Sequence, residues 1–207
     1  MHDRRIDGEP QIFGNAGGLY KYAMTWWDHE TISIWSQPTG RAVAGLLKRT
    51  ELTLLPSQMT SWKNWKEAHP ETLAMTNSYS QLGFRRQKFD TDFVIGVVLA
   101  DQEKAYYYED VAADTVLNDW VGEFPILIWA ANDDYRTFLR KAEGETLTFQ
   151  WEDGTLKDTA TGSTWDANLG IATAGPLKGQ VLQPVPSMTA FDWAWEDFYP
   201  SSEIYQP

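Results

Sequence analysis

The stretch Asp28-His-Glu-Thr-Ile-Ser-Ile-Trp-Ser-Gln-Pro-Thr-Gly-Arg-Ala-Val-Ala-Gly45 recurs 130 residues later as Asp158-Thr-Ala-Thr-Gly-Ser-Thr-Trp-Asp-Ala-Asn-Leu-Gly-Ile-Ala-Thr-Ala-Gly175. The register runs without a gap from residues 28–75 to residues 158–205 and gives 15 identities in 48 positions. Trp35/Trp165 and Trp65/Trp195 both fall in it, which chance does not readily supply. A fixed offset of this kind is the mark of a repeated structural unit. Thr-x-Ser-x-Trp alternates small polar and large apolar residues, as a half-buried strand does. Gly40 and Gly170 then mark a turn. Ala-x-Ala-Gly reads as a short strand with close backbone approach at the glycine. Leu52–Pro56 and Leu182–Pro186 read as a third strand.

Further along each copy a short helix is expected. Phe191, Trp195 and Phe198 share one helical face, with Thr189 as N-cap; Trp62, Trp65 and His69 do the same in the first copy. Pro70 and Pro200 end these helices. Thr72–Thr76 and Glu203–Tyr205 read as closing strands. Upstream, Thr-Phe-Gln at 148–150 matches Ile12-Phe13-Gly14 at an offset of 136, so the first copy carries six extra residues. Val94–Leu99, Lys104–Tyr108, Phe124–Trp129, Tyr135–Arg140 and Thr146–Trp151 read as strands, and Glu109–Asp114 as a helical turn. Asp7-Gly8 and Asp153-Gly154 are hairpin signals, and Gly14-Asn-Ala-Gly-Gly reads as a tight turn.

The expected fold is mostly β (β-rich α+β): two pseudo-twofold-related repeats of short strands, each with one short helix, around a shared core. Residues 1–76 form the first repeat, 77–93 a connector and 94–207 the second repeat. Counterparts of the strands from Val94 onward would lie about forty residues ahead of residue 1, so the first repeat is expected to be N-terminally incomplete. An unpaired edge at Ile12–Phe13 or Val94–Leu99, facing a shallow apolar groove and able to self-associate, is the structural expectation.

Composition narrows the function. The chain has 207 residues, 43% hydrophobic and 22% charged, which suits one globular domain. The net charge of −12 is uneven: residues 1–90 carry 11 basic and 9 acidic side chains, and residues 91–207 carry 6 and 20. Such an acidic half repels phosphate backbones, so nucleic acid is not an expected partner. The basic cluster Arg85-Arg86-Gln87-Lys88 reads as a solvated loop. No apolar run reaches the roughly 20 residues of a membrane helix, so membrane insertion is not expected. The polar opening residues predict no signal peptide within the chain. With no cysteine and only His2, His29 and His69, neither a thiolate nucleophile nor a transition-metal site is expected, and no cofactor. Remaining carboxylate sites would suit only calcium or magnesium.

Eleven tryptophans are the strongest compositional signal. Trp35, Trp165, Trp65 and Trp195 recur in the repeat and are read as core. Trp26, Trp27 and Trp193 lack repeat partners and are the better platforms for a ring or a cation. The candidate ligand-binding set is Trp26, Trp27, Asp28, Gln37, Asn118, Asp119 and Trp193. Asp28 and Asp158 share one repeat position, which favours an aspartate satisfying backbone amides in a turn; Asn118-Asp119 is read as an Asx turn. Paired carboxylates among Asp28, Glu30, Asp119, Asp158 and Asp166 would be needed for work on a glycosidic bond.

Asp-x-Glu-Thr-x-Ser-x-Trp-Ser-Gln-x-Thr-Gly-x-Ala-x-Ala-Gly, the later Leu-Pro-Ser and His-Pro-x-Thr, Asp3-Arg-Arg-Ile-Asp-Gly, Val116-Leu-Asn-Asp-Trp-Val-Gly, Thr161-Gly-Ser-Thr-Trp and Phe198-Tyr-Pro together resemble the prokaryotic family catalogued as domain of unknown function 3179. The resemblance spans nearly the whole chain. It implies an uncharacterised, usually exported protein, hence an extracytoplasmic location. Members usually carry a Trp-His-Glu stretch and a Cys-Pro-x-Cys-type motif that this chain lacks. The leading expectation is therefore a ligand-binding or structural domain without its own catalytic centre, with a small molecule or glycan as partner. One rival is a metal- or redox-dependent enzyme whose centre lies in a missing N-terminal half-repeat. The other is a carbohydrate-active protein using tryptophans and carboxylates.

Overall fold

The computed structural model describes residues 1–57, 59–74 and 92–207. The chain starts with the hairpin β1 (Arg5–Ile6) and β2 (Glu9–Pro10). A four-stranded antiparallel sheet follows in chain order: β3 (Phe13–Tyr20), β4 (Ala23–Asp28), β5 (Ile34–Ser36) and β6 (Ala42–Ala44). Helix α1 (Trp62–Ala68) comes next. The middle of the chain supplies β7 (Phe93–Leu99), β8 (Gln102–Tyr107), α2 (Tyr108–Asp114), β9 (Val116–Val121), β10 (Phe124–Ala131) and β11 (Asp134–Leu139). Then come the hairpin β12 (Lys141–Ala142) and β13 (Glu145–Thr146), and the sheet β14 (Phe149–Glu152), β15 (Thr155–Asp158), β16 (Thr164–Asp166) and β17 (Ile171–Ala174). The chain closes with β18 (Ser187–Phe191), α3 (Asp192–Phe198) and β19 (Glu203–Ile204). The fold is mostly β, and β18-β7-β8-β19 and β11-β10-β9 are its remaining sheets.

Local chemistry explains the elements. Asp7-Gly8 and Asp153-Gly154 both take positive φ, at 51° and 86° and at 51° and 73°, as a two-residue hairpin turn requires. Gly45 and Gly175 lie so close to Ser33 and Ser163 that an added Cβ would stand 2.6 Å from each serine Cα. Asp28 is fully buried. It accepts from the amides of Thr31 and Ser33 at 2.6 and 3.2 Å and from the Trp35 indole N–H at 2.8 Å. Asp158 accepts from the Thr161 amide at 2.6 Å and the Trp165 indole at 3.0 Å. In both, burial raises the carboxyl pKa, but these hydrogen bonds outweigh it and hold the group below the ordinary carboxylate range.

The same spacings recur throughout. The isolated bridges His2↔Leu54 and Arg41↔Glu51 have counterparts in Phe138↔Pro184 and Ile171↔Val181. The Arg4 guanidinium donates to the Gln11 carbonyl, and that of Arg140 to the Leu147 carbonyl. Helices α1 and α3 are each seven residues long, 130 residues apart. Ser57 and Ser187 each donate a hydroxyl hydrogen bond to the other's carbonyl, at 3.5 and 3.4 Å.

Strand β10 lies at the centre of the larger core. Ile126, Ile128 and Ala130 pack with β7, β8 and α2, while Leu127 and Trp129 face the opposite way onto β14–β17. That two-sided burial follows from the period of 2 in a strand, and each large apolar side chain so placed contributes about 1.5–3 kcal/mol.

Several expectations give way. Leu52–Pro56 and Leu182–Pro186 carry isolated bridges rather than strands: the Leu52 and Leu182 amides donate to the Gly40 and Gly170 carbonyls, and those of Leu55 and Val185 to Met1 and Thr137, so no continuous ladder forms. Thr72–Ala74 is not a strand. Gly14–Gly18 is no tight turn but part of β3, with an irregularity between Asn15 and Leu19. Thr189 does not cap α3; it lies in β18, and its hydroxyl donates to the Tyr135 hydroxyl at 3.0 Å. Trp195 is buried on Gly96 of β7, where even a Cβ would clash, whereas Trp65 is only half-buried on a helix with no buried residue. Val94–Leu99 is not an edge, since β7 pairs with β18 on one side and β8 on the other. The greater part of the expected connector and the basic cluster Arg85–Lys88 lie outside the described residues. No helix among the described residues is long and apolar enough to cross a membrane.

Candidate functional site

A hollow of about 500 Å³ opens between the first sheet and α3. Strand β4 aims Trp26 toward it, because neighbouring residues on a strand face opposite ways. Trp26 pairs across the sheet with the buried Trp35 and forms the wall. Trp27 therefore faces the other side, where it covers Gly14 and stacks on His29 with centroids 4.2 Å apart. Gln37 and Pro38, just past β5, line one side. The Gln37 side-chain amide makes no hydrogen bond among the described residues. Trp193, in the first turn of α3 and half-exposed, lines the opposite side with Phe198 and Tyr199. Behind them Trp195 is fixed by its indole N–H donating to Ser202 Oγ at 2.7 Å, and Tyr199 stacks on it at 4.3 Å.

The span from Phe13 to Asp28 is six residues longer than that from Phe149 to Asp158, and the extra length builds the remaining wall. It lengthens the β3–β4 hairpin relative to β14–β15, so that its tip reaches α3. At that tip Lys21 and Tyr22 both take positive φ, at 49° and 62°. The Lys21 ammonium donates to the Asp197 carbonyl and lies 5.7 Å from the centre of the Phe198 ring. Tyr20 meets the same ring at 6.4 Å. His2 also lines the hollow, with Nε2 buried and unpartnered among the described residues. Burial, then the neighbouring N-terminal ammonium, push its pKa down to about 4, so the imidazole is neutral at pH 7.

A second hollow of about 480 Å³ shares Leu54, Phe198 and Tyr199 with the first. It is polar, with Glu51, Asp101 and Glu103 on its walls. Burial, then Asp101 and Glu51, raise the Glu103 pKa, and burial, then Glu103 and Glu51, push the Tyr199 hydroxyl up to about 12.

The expected site residues thus separate. Trp26, Gln37 and Trp193 converge on one hollow. Trp27 lies on the far face of its sheet, and Asp28 is sealed in the core, where its carboxylate is committed to internal donors. Asn118 and Asp119 form no Asx turn; both lie in β9. Asn118 clamps the Phe149 backbone, donating to its carbonyl and accepting from its amide, each at 2.7 Å. Asp119 accepts from Lys104 and the Tyr106 hydroxyl, both at 2.9 Å. Asp158 is buried like Asp28, and Asp166 accepts from the Asn168 and Leu169 amides. Three ion pairs join the framework: buried Lys104 holds Asp119 and the exposed Glu203, and Arg136 holds Asp134. Asp134 and Arg136 share a face of β11 by the strand's period of 2, whereas only the fold brings Lys104 to Asp119 and Glu203.

The family model described as protein of unknown function (DUF3179) matches residues 1–202. The chain belongs to that family. No curated protein and no solved structure gives a significant match.

Proposed function

We propose that this chain is a ligand-binding domain without a catalytic centre of its own, built by duplication of one β-rich unit, and that its ligand is a small, largely apolar molecule. One observation carries the reading: the hollow of about 500 Å³ walled by Trp26, Trp193, Phe198 and Tyr199, with the unpaired Gln37 amide as its polar contact. Ligand sites are typically about 300–1,000 Å³, mostly apolar, with a few placed polar groups. A glycan would use the same rings for stacking but needs more hydrogen-bonding side chains than this hollow presents. The recurrent bridges and the reciprocal Ser57–Ser187 contact support the duplication.

Titration with indole, anilinonaphthalene sulfonate and a soluble cello-oligosaccharide tests this. The two apolar probes are expected to bind, and Trp193→Ala to weaken them about tenfold, the loss of about 1.4 kcal/mol of ring contact. Trp193 is half-exposed, so the variant keeps its fold. Binding of the oligosaccharide alone, or apolar binding indifferent to Trp193→Ala, would overturn the proposal.

A further inference from the structure

The two sheets β3–β6 and β14–β17 are built alike, yet among the described residues only the second is covered by a strand layer, and that cover shows what the first could take. Strands β9 and β10 lie against β14–β17 with one face. Their register places Asn118 opposite Leu127, Val116 opposite Trp129 and Trp120 opposite Pro125. Leu127 and Trp129 pack there against Phe138, Leu147, Phe149 and Leu156, none of them more than 3% exposed. Asn118 binds both backbone groups of Phe149, and Arg140 lies 5.1 Å from the centre of the Trp120 ring.

Counting back by the two offsets, these covered residues correspond to His2, Gln11, Phe13, Trp26 and, for Arg140, Arg4. Those residues line a hollow of about 310 Å³. Phe13 and Trp26 are half-buried and Arg4 exposed, where their counterparts are buried. Among the described residues strand β3 is the edge of its sheet. Among the described residues no Asn amide reaches the Phe13 backbone.

We infer that this face of the first sheet is a docking surface for a polypeptide β-hairpin with the chemistry of β9–β10. Such a hairpin presents on one face an Asn amide for the Phe13 backbone, two large apolar side chains for the hollow, and an aromatic ring for Arg4. A second copy of this chain does not supply it, because its own β9–β10 is committed to its own β14. The Phe13 amide and carbonyl offer the pair of hydrogen bonds that an Asn side chain takes from Phe149, and the hollow supplies side-chain selection. This inference stands apart from the ligand hollow and shares only the wall formed by His2 and Trp26.

The probe is a peptide of this chain's residues 116–131, cyclised end to end and shown by its own cross-strand NMR contacts to be a hairpin. Titrated into the full chain labelled with 15N, it is expected to shift the amides of Phe13, Gly14 and His29 and to leave Phe149 unmoved. The peptide carrying Asn118→Ala should bind about tenfold more weakly. In the protein, Ile12→Lys, at a position already 55% exposed, should weaken binding without unfolding the chain. No binding by the hairpin, shifts confined to the Trp193 side, equal affinity of the Asn118→Ala peptide, or a chain that is already a dimer through β3 would each overturn the inference.

Discussion

Asp28 and Asp158 each hold an indole N–H and local backbone amides in the dry interior, and both sheets depend on this arrangement. Removing the carboxylate leaves buried donors unpaired, so Asp28→Ala and Asp158→Ala are each expected to cost about 3 kcal/mol in chemical denaturation. Their folded pKa values lie below the ordinary 3.8. The stability they contribute is therefore fully present above pH about 4 and is lost as pH falls through the folded value. The alanine variants should show a weaker loss of stability in acid than the parent chain. His2 works the same way at higher pH. Its folded pKa of about 4 lies below its ordinary 6.5, so stability falls as pH drops from 6.5 toward 4. His2→Phe, which copies Phe138, removes a buried unpartnered nitrogen. It is expected to raise Tm, more at pH 5 than at pH 7.5; a lower Tm at both would show that the imidazole has a partner. The aspartate's turn role was legible from its place in the repeat, since both copies keep Asp-x-x-Thr-x-Ser-x-Trp. The burial of Asp28 was not, because a sequence does not say which face of a turn is covered.

The β3–β4 hairpin joins stability to function. Its six-residue excess was visible as a change of offset from 136 to 130. That the excess reaches α3 and walls a hollow depends on packing between segments far apart in sequence. Lys21 and Tyr22 adopt positive φ, which Asn-Gly tolerates far better. The double change Lys21→Asn, Tyr22→Gly should raise Tm through the turn, yet weaken apolar probes several-fold by removing the Tyr22 wall and the contact to Asp197. Probe affinity that rises with Tm would show the tip to be only a turn. The glycine run 14–18 misled in the same hairpin: its composition signals a turn, but pairing with Ala23–Asp28 draws it into a strand with an irregular register.

Across the whole molecule, the segments around Ser57 and Ser187 meet in a reciprocal contact, and the hollow nearby draws Trp26 from the first sheet and Trp193 and Trp195 from α3. The strand-rich class was legible because short alternating apolar segments are punctuated by Asp-Gly and other turn signals. Of the proposed site, Trp26, Gln37 and Trp193 stand out in the sequence, whereas Phe198 and Tyr199 pass for helix-packing residues until α3 is placed. The eleven tryptophans offer the most direct test of the central claim. Their indole N–H signals, assigned in 15N-labelled protein, are recorded while indole or anilinonaphthalene sulfonate is added. A ligand in the hollow shifts the Trp26 and Trp193 signals and leaves Trp35 and Trp165, bound to Asp28 and Asp158, in place. Saturable shifts at Trp62, Trp120 or Trp151 with none at Trp26 and Trp193 would contradict the account.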